Sequence, residues 1–357
     1  MRVRNSLNLE TPALLLDLDV MEQNLQTMAI FLRDSRVRLR PHFKNHRVLV
    51  LAARQVEAGA IGMTCARLWE AERLVQNGIR NVLIANEIAG SITIKRFVEL
   101  SREAPIIIAV DSAKVVADLA RESRRCRTEV NVLVDVDLGF KRCGIQPGEA
   151  AVSLSKLVVE RGLKFRGLMG YEGHLLPYPP SHKKEQAVKA VIGRLTDLKR
   201  RIELEGIPVG ILSCGGTGDY STVGRLPDVT ESQAGSYLLM DTWCSSFAPD
   251  FKVALSILAT VISKTPGERI VVDAGVKALS GERGLPSVKA VPGLRLRALH
   301  AEHAVIATQG AQAGIDLGDK IEIWVHYHDG TINLHNRMYG IRNGKVEEVF
   351  KIERSER

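Results

Sequence analysis

The sequence is poor in aromatic residues and in cysteine. Phe, Trp and Tyr make up only 5% of its 357 residues, so aliphatic side chains must fill the core, as they do in buried parallel strands and the helices that cover them. Its five cysteines are widely spaced and form no Cys-x-x-Cys pair. This pattern excludes a small disulfide-stapled secreted fold and is typical of a reducing compartment.

Long apolar runs are also missing. No stretch approaches the roughly 18 apolar residues that a membrane-spanning helix needs, and the first residues lack the apolar segment of a signal peptide. We therefore expect a cytoplasmic protein with no membrane partner.

Charge of one sign is not concentrated anywhere, although the net charge is +8. Basic residues alternate with acidic ones, as where Arg121, Arg124 and Arg125 are mixed with Glu122 and Glu129. This mixture indicates a solvated helix face, and no basic and aromatic stripe points to a nucleic-acid partner.

The sequence does have a regular alternation of short β-branched runs and longer amphipathic segments, which predicts a parallel sheet with crossover helices. The predicted strands are Val37–Pro41, Ile61–Cys65, Asn81–Glu87, Pro105–Asp111, Val130–Asp137, Phe165–Tyr171, Val209–Cys214 and Asp228–Gln233. Eight such units over about 230 residues favour a (β/α)₈ TIM-type barrel over a doubly wound sheet.

After Phe251 the sequence pattern changes to strand-like apolar runs separated by Gly and Pro, which predicts a C-terminal all-β domain. Its predicted strands are Lys252–Ile262, Arg269–Val272, His303–Ala307, Lys320–Val325, Thr331–Leu334 and Val346–Ile352, and Ala13–Leu18 is expected to add another. We predict a barrel over residues 20–250 and a β domain from residues 1–19 plus 251–357.

Catalytic side chains of such barrels stand at the carboxyl ends of the strands. The first strand leads into Lys44, and a lysine in a desolvated mouth can form a Schiff base with a carbonyl, although a lone exposed lysine is the commoner case. Strand five leads into Arg142 between Gly139 and Gly144, and strand six leads into Tyr171 and a candidate proton carrier, His174.

Strand seven ends in a glycine-rich turn, Gly215-Gly216-Thr217-Gly218, whose backbone N–H groups can cradle a phosphate. Strand eight is followed by the small residues of Gln233-Ala-Gly-Ser236-Tyr237, at the place where barrels bind phosphate. A lysine, an arginine and a phosphate cradle together indicate pyridoxal 5′-phosphate (PLP), a phosphorylated aldehyde.

These residues resemble the PLP enzymes of the alanine racemase-like (fold type III) barrel, and within them the D-threonine aldolase and D-serine dehydratase group. The resemblance covers nearly the whole chain. The motifs that carry it are Thr11–Asp19, Arg38–Lys44, Gly62–Ala66, Tyr171–His174, Gly215–Gly218, Gln233–Tyr237, Asp273–Gly275 and Asn333–His335.

The resemblance implies roles for individual residues. Lys44 would be the Schiff-base lysine, Arg142 would lie near the phenolic oxygen of PLP, and Tyr171 would line its ring. The phosphate would be held by Gly216, Thr217, Gly218, Ser236 and Tyr237. The resemblance also implies a homodimer in which the β domain of one subunit closes the active site of the other.

The group usually carries a divalent metal next to PLP, bound by a His-x-Cys or His-x-Asp pair shortly before Asn-Leu-His. Counting back from Asn333 places Asp329 on the acidic ligand, but Tyr327 stands where the histidine is expected. Either His328 or His326 supplies the imidazole through a local shift, or the metal is absent. Neighbouring residues of a strand face opposite sides, so His328 with Asp329 requires an irregular backbone. Such ligands suit Mn²⁺, Mg²⁺ or Zn²⁺.

We expect a metal-assisted PLP lyase of the D-threonine aldolase type, which cleaves a D-β-hydroxy amino acid into glycine and an aldehyde. Lys44 would hold the cofactor, and His174 or a metal-activated water would take the hydroxyl proton. The alternatives are dehydration by a D-serine or D-hydroxyaspartate dehydratase type of ammonia-lyase, and a PLP-binding protein without turnover. A racemase is disfavoured because no second acid–base residue is evident.

Overall fold

The computed structural model describes residues 7–308 and 314–355. Within these residues the chain divides into two compact units, one formed by residues 7–27 and 237–354 and the other by residues 28–236. We call them the β unit and the barrel unit. The predicted domain limits at residues 20 and 250 remain a prediction.

The barrel unit contains a sheet of eight parallel strands, which confirms the predicted TIM-like fold. The strands are β2 (Arg38–Leu39), β3 (Met63–Cys65), β4 (Val82–Ile84), β5 (Ile107–Val110), β6 (Asn131–Val136), β7 (Lys164–Gly170), β8 (Ile211–Cys214) and β9 (Glu231–Ser232). The order is β2-β9-β8-β7-β6-β5-β4-β3. The amide of Ile61 bonds to the carbonyl of Leu39 at 2.8 Å, and the amide of Thr64 bonds to the carbonyl of Pro41 at 2.9 Å. These bonds connect the two ends of the sheet.

Amphipathic helices follow the strands because their apolar residues recur at helical spacing. The helices are α1 (Leu18–Arg33), α2 (Leu49–Glu57), α3 (Leu68–Gln76), α4 (Ser91–Leu100), α5 (Ala113–Cys126), α6 (Glu149–Glu160), α7 (His182–Leu204) and the short α8 (Tyr220–Val223). The longest, α7, begins where the Ser181 hydroxyl accepts the amide of Lys184 and buries Val188, Ile192 and Leu195 on one face.

The β unit is built on a second sheet of eight strands. They are β1 (Ala13–Asp17), β10 (Leu255–Thr265), β11 (Arg269–Val272), β12 (Arg295–Leu299), β13 (Ala304–Ala307), β14 (Lys320–Trp324), β15 (Arg337–Arg342) and β16 (Lys345–Lys351). Strand β1 lies between β10 and β15, which confirms that the first apolar run joins this sheet. The predicted all-β domain is therefore correct in kind.

Two details of the β unit differ from the prediction. Strands β12 and β15 were not predicted, because exposed Arg297 interrupts the apolar run of β12, and the apolar run of β15 is short and bounded by Arg337 and Arg342. The strand predicted over Thr331–Leu334 is wrong, because a short helix, α9 (His328–Ile332), ends this segment before Asn333. The Thr331 hydroxyl donates to the carbonyl of Tyr327 at 2.9 Å, a local bond that favours the helical turn.

Among the helices of residues 7–308 and 314–355, none combines the length and apolar character needed to cross a bilayer.

Candidate active site

Lys44 lies on a tight turn at the carboxyl end of the first barrel strand. The turn, Phe43–Asn45, follows β2, and its first amides are engaged locally, with the Lys44 N–H donating to Nδ1 of His42 at 3.4 Å. Asn45 donates from Nδ2 to the Ser236 hydroxyl at 3.2 Å. A Cβ at Gly235 would lie 2.0 Å from Oδ1 of Asn45. The Lys44 turn and the loop after β9 therefore fit only with glycine at position 235.

The surroundings of His42 show that cationic groups converge at this end of the barrel. Burial lowers the pKa of His42 well below its usual value, and the charges of Lys44 and Arg142 lower it further. His42 is therefore neutral at pH 7. A site that gathers cations around a neutral imidazole is suited to an anionic ligand.

Arg142 is held in place by a closely bonded loop after β6. The Asp137 carboxylate accepts the amides of Gly139 and Lys141 at 2.9 and 3.0 Å. The guanidinium of Arg142 then lies 5.0 Å from the ring centroid of Phe140 and 5.6 Å from that of Tyr171. The structure thus brings together Arg142 and Tyr171, which the sequence predicted to share one site.

A cavity opens beside Arg142 at the carboxyl ends of β4, β6 and β7. Its lining consists of Ala85, Asn86, Glu87, Asp135, Val136, Asp137, Phe140, Arg142, Cys143, Met169 and Tyr171. Burial and a hydrogen bond with Glu87 raise the pKa of Asp135. Burial and Glu87 also raise the pKa of the Cys143 thiol to about 11, so this thiol is protonated at neutral pH. The cavity is lined by both apolar and hydrogen-bonding side chains.

His174 follows β7 and lies against the Arg142 loop. Its ring stacks on Phe140 at 6.4 Å between centroids and 20° between planes. Nδ1 of His174 is buried and contacts no hydrogen-bonding group of the described residues. An imidazole nitrogen in this condition can bind a ligand or take up a proton.

The glycine-rich turn after β8 is fixed by buried polar groups. Oδ1 of Asp219 accepts the amide of Gly216 at 2.9 Å. The ammonium group of Lys184, on α7, donates to the carbonyls of Leu176, Tyr178 and Gly218 at 2.9, 2.8 and 2.7 Å. Lys184 therefore ties the turn to the segment that follows His174.

Beneath this turn lies a pair of buried carboxyl groups. Glu172 is fully buried and Asp219 is 3% exposed. Burial and the neighbouring Asp219 raise the pKa of Glu172 well above its usual value, and burial raises that of Asp219. Two adjacent buried carboxyls cannot both ionise, so the pair holds a proton at neutral pH.

The predicted metal segment lies in the β unit. Because residues 328–332 are helical, the neighbours His328 and Asp329 are not on opposite faces, and Nε2 of His328 lies 3.4 Å from Oδ1 of Asp329. Two ligands about 2.1 Å from one cation at a tetrahedral angle are about 3.4 Å apart. This imidazole and carboxylate pair can therefore hold a divalent metal.

His326 and Tyr327 have other contacts. Nδ1 of His326 lies 2.6 Å from the Thr242 hydroxyl, and Nε2 lies 3.2 Å from the carbonyl of Arg283. Tyr327 packs edge-on against Trp243, with 6.0 Å between ring centroids. Both residues are thus placed in a polar and aromatic cluster, which favours His328 as the ligand.

PLP fits the residues of the barrel unit. Lys44 offers an amine for an aldehyde, and Arg142 and His42 offer a cationic and a neutral polar group. The glycine-rich turn would offer backbone amides other than that of Gly216, which already donates to Asp219. A Cβ at Gly216 would lie 2.8 Å from the Leu176 side chain, so the turn holds glycine there. Thr217 within this turn and Ser236 after β9 carry hydroxyls, whereas Tyr237 is fully buried in the β unit with its ring 5.7 Å from that of Phe251.

Several polar residues escaped the sequence prediction. Asp241 is fully buried in the β unit, and its contact with His328 was not expected, although it follows the Gln233–Tyr237 motif closely. Glu87 and Asp135 line the cavity, and their positions, shortly after β4 and at the carboxyl end of β6, could have indicated this from the sequence. Nothing in the sequence indicated that Lys184 is buried at the site, because a lysine on an amphipathic helix normally faces solvent.

The fold, the Lys44 turn and the glycine-rich cradle define a PLP enzyme of the alanine racemase-like class. A model of the alanine racemase N-terminal domain matches residues 16–242, and a serine dehydratase domain model matches residues 254–341. The chain belongs to this family, in the D-threonine aldolase and D-serine dehydratase group of PLP-dependent lyases.

Curated relatives and solved structures agree with this assignment. A D-threonine aldolase from Arthrobacter sp is 32% identical over 96% of this chain and 92% of its own length. A 3-hydroxy-D-aspartate aldolase from Paracoccus denitrificans (strain Pd 1222) is 30% identical over the same shares, 96% and 92%. The crystal structure of D-threonine aldolase from Filomicrobium marinum superposes with a TM-score of 0.94 and 33% identity, covering 99% of this chain and 98% of that one.

Proposed function

We propose that this lyase is an aldolase that cleaves D-3-hydroxy amino acids into glycine and an aldehyde, with PLP and a divalent metal. The observation that carries the proposal is the 3.4 Å approach of Nε2 of His328 to Oδ1 of Asp329. It restores an imidazole and carboxylate pair although Tyr327 replaces the expected histidine. A PLP-binding protein without turnover has no need of this pair.

Residues of the barrel unit have separate tasks in this reaction. Lys44 would hold the aldehyde carbon of PLP and release it to the substrate amine. Arg142 would face the phenolic oxygen, and Gly216, Thr217, Gly218 and Ser236 would hold the phosphate. When bound, PLP withdraws electrons from the carbon whose bond breaks. Tyr237, which is assigned to the phosphate only by the family pattern, remains the least supported member.

His174 is the residue we assign to proton transfer. Its buried Nδ1 has no hydrogen-bond partner among the described residues, so it can accept the proton of the substrate's β-hydroxyl group. Loss of that proton lets the oxygen form a carbonyl while the Cα–Cβ bond breaks. The product on one side is an aldehyde and on the other, after a proton returns to Cα, glycine.

His328 and Asp329 would bind the metal, with His326 outside the ligand set. A divalent cation lowers the pKa of a hydroxyl group that it contacts, which eases the same proton transfer. Mixed nitrogen and oxygen donors suit Mn²⁺, Mg²⁺ or Zn²⁺.

Dehydration is the second candidate, favoured by the match of residues 254–341 to the serine dehydratase domain model. In that reaction Lys44 would remove the α-proton and the β-hydroxyl would leave, so the products are a 2-oxo acid and ammonia. Asp329 provides a carboxylate where the family pattern also allows a cysteine, and this favours the aldolase over the dehydratase.

Product analysis separates these candidates. The purified enzyme with PLP and Mn²⁺ is incubated with D-threonine, D-phenylserine and D-3-hydroxyaspartate, and with L-threonine as the control. We expect equal amounts of glycine and aldehyde from one or more D-substrates and none from L-threonine. A 2-oxo acid with ammonia supports dehydration, and no product from any substrate contradicts both enzyme proposals.

We further propose that the protein works in the cytoplasm as a homodimer, without membrane or nucleic-acid partners. All five cysteines are free thiols, as a reducing compartment maintains them. Light scattering on the purified protein tests the dimer, because a monomeric mass at working concentration contradicts it.

A further inference from the structure

We infer that Asp241 is a positioning residue for the metal: it fixes the tautomer and direction of the His328 ring, and it is not itself a ligand. This inference rests on the proposed function, which assigns His328 and Asp329 as ligands. Asp241, Cys244 and His328 lie close enough to hold a cation together, so the distinction between a direct and an indirect role needs an argument.

The first argument is that both oxygens of Asp241 already accept hydrogen bonds. Oδ1 accepts the amide of Cys244 at 2.6 Å, and Oδ2 accepts the amide of His328 at 2.7 Å. Oδ2 also lies 2.5 Å from Nδ1 of His328. A carboxylate that coordinates a cation must direct lone pairs at it, and three donors in place leave this carboxylate poorly disposed to do so.

The second argument concerns the imidazole. Oδ2 of Asp241 lies 2.5 Å from Nδ1 of His328, so Nδ1 is the ring nitrogen that faces this carboxylate and Nε2 is the nitrogen left for a cation. Nε2 is the atom that faces Asp329 at 3.4 Å. A carboxylate behind a ligand histidine fixes its tautomer and raises its basicity, and removal of such a group typically weakens metal binding about 10- to 100-fold.

The third argument is burial. The side chains of Asp241 and His328 are 0% and 2% exposed, whereas that of Asp329 is 29% exposed. A ligand pair needs one accessible side for the cation, and Asp329 provides it. Asp241 anchors the arrangement from the interior, since it joins the segment at Cys244 to the start of α9.

The test is calorimetric titration of Mn²⁺ into the metal-stripped, PLP-loaded full-length protein, compared among the wild type and three variants. We expect Asp329→Asn to abolish measurable binding, Asp241→Asn to raise Kd about 10- to 100-fold, and Cys244→Ala to leave Kd within about twofold of the wild type. PLP absorbance and the thermal midpoint serve as folding checks. If Cys244→Ala weakens binding as much as Asp329→Asn, the buried triad holds the metal and the inference is wrong.

A second measurement tests the inference even if Asp241→Asn fails to fold. Nitrogen NMR of the wild-type imidazoles in the metal-free protein reports which ring nitrogen carries the proton. We expect the His328 signals, assigned with His328→Gln, to show a protonated Nδ1 and an unprotonated Nε2. The reverse tautomer contradicts the inference. Aldolase activity is not needed for either experiment, so failure of the proposed reaction and failure of this inference are distinguishable.

Discussion

At the scale of single residues, we expect substitution of Lys44 to have the largest effect on PLP binding and activity. Lys44→Ala should abolish the visible absorbance band of lysine-bound PLP and reduce activity by several orders of magnitude, because no other amine replaces it. Spectral titration of the apoprotein with PLP measures this. Lys183→Ala, which removes an exposed lysine from α7, is the matched control and should keep the band. A band that survives in Lys44→Ala contradicts the assignment.

The buried carboxyl pair predicts a pH dependence of stability. Because the pKa of Glu172 is raised in the folded protein, the folded state binds more protons than the unfolded state above the ordinary pKa near 4.5. The stabilisation is therefore complete below that pKa and is lost as the pH rises towards the folded value. In Glu172→Gln this loss should be absent.

Urea unfolding of both proteins between about pH 5 and pH 9 measures the slope of the unfolding free energy. Glu160→Gln changes a glutamate at the exposed end of α6 and should keep the wild-type slope. Equal slopes for wild type and Glu172→Gln would show that the pair holds no proton.

The sequence locates correctly the residues that follow a barrel strand, whereas their roles stay predictions. Lys44, Arg142, Tyr171 and His174 each come after a barrel strand, so their convergence depends only on the fold. The direction of the His328 ring was not predictable, because it depends on Asp241, which is 87 positions away along the chain.

At the scale of elements, the loop after β9 must pack closely against the Lys44 turn. Gly235→Ala would place a Cβ 2.0 Å from Oδ1 of Asn45 and 2.8 Å from the carbonyl of His42. We expect a loss of about 1–3 kcal/mol in stability and weaker PLP binding, measured by thermal unfolding with and without PLP.

The chain offers a matched control in Gly193, inside α7, where an added Cβ meets nothing within 4 Å. Gly193→Ala should stabilise the protein by about 0.5–1 kcal/mol through helix propensity. If the two variants behave alike, close packing at the Lys44 turn is not the cause.

The first and last barrel strands are joined by a buried ion pair. Arg40 donates to Glu231 through Nε and Nη2 at 3.0 and 2.9 Å, and its Nη1 donates to Oδ1 of Asn81 at 2.7 Å. Arg40→Met leaves Glu231 buried and uncompensated, which should cost about 3–5 kcal/mol. Denaturant unfolding measures the cost, and Arg40→Met with Glu231→Leu should recover much of it. If the single variant Arg40→Met loses little unfolding free energy, the ion pair does not stabilise the junction of β2 and β9.

Elements were predictable to different degrees. Seven of the eight barrel strands fall within the predicted segments and β7 begins one residue earlier, because buried parallel strands are continuous apolar runs between turn residues. In the β unit, β12 alternates exposed arginines with apolar residues, and β15 has only a short apolar run between Arg337 and Arg342, so neither gives a strong strand pattern in the sequence. The helical turn at His328 depends on local hydrogen bonds that periodicity does not report.

At the scale of the whole molecule, two units with different tasks make up one lyase. In the proposed function, the barrel unit would supply the residues for PLP, and the β unit would supply the metal ligands. Aldolase activity should therefore depend on both the PLP-binding residues and the metal ligands. Substitution of the residues in one unit should leave the fold of the other unit intact.

The central claim is a metal-assisted cleavage of a D-3-hydroxy amino acid, and the most direct test is quantitative NMR of D-threonine turnover. The PLP-loaded enzyme is assayed with Mn²⁺, after chelation, and after Mn²⁺ is restored. We predict glycine and acetaldehyde in a 1:1 ratio, a loss of at least about 100-fold on chelation, and recovery on restoration. Unchanged turnover after chelation, or 2-oxobutanoate and ammonia as the products, would contradict the account.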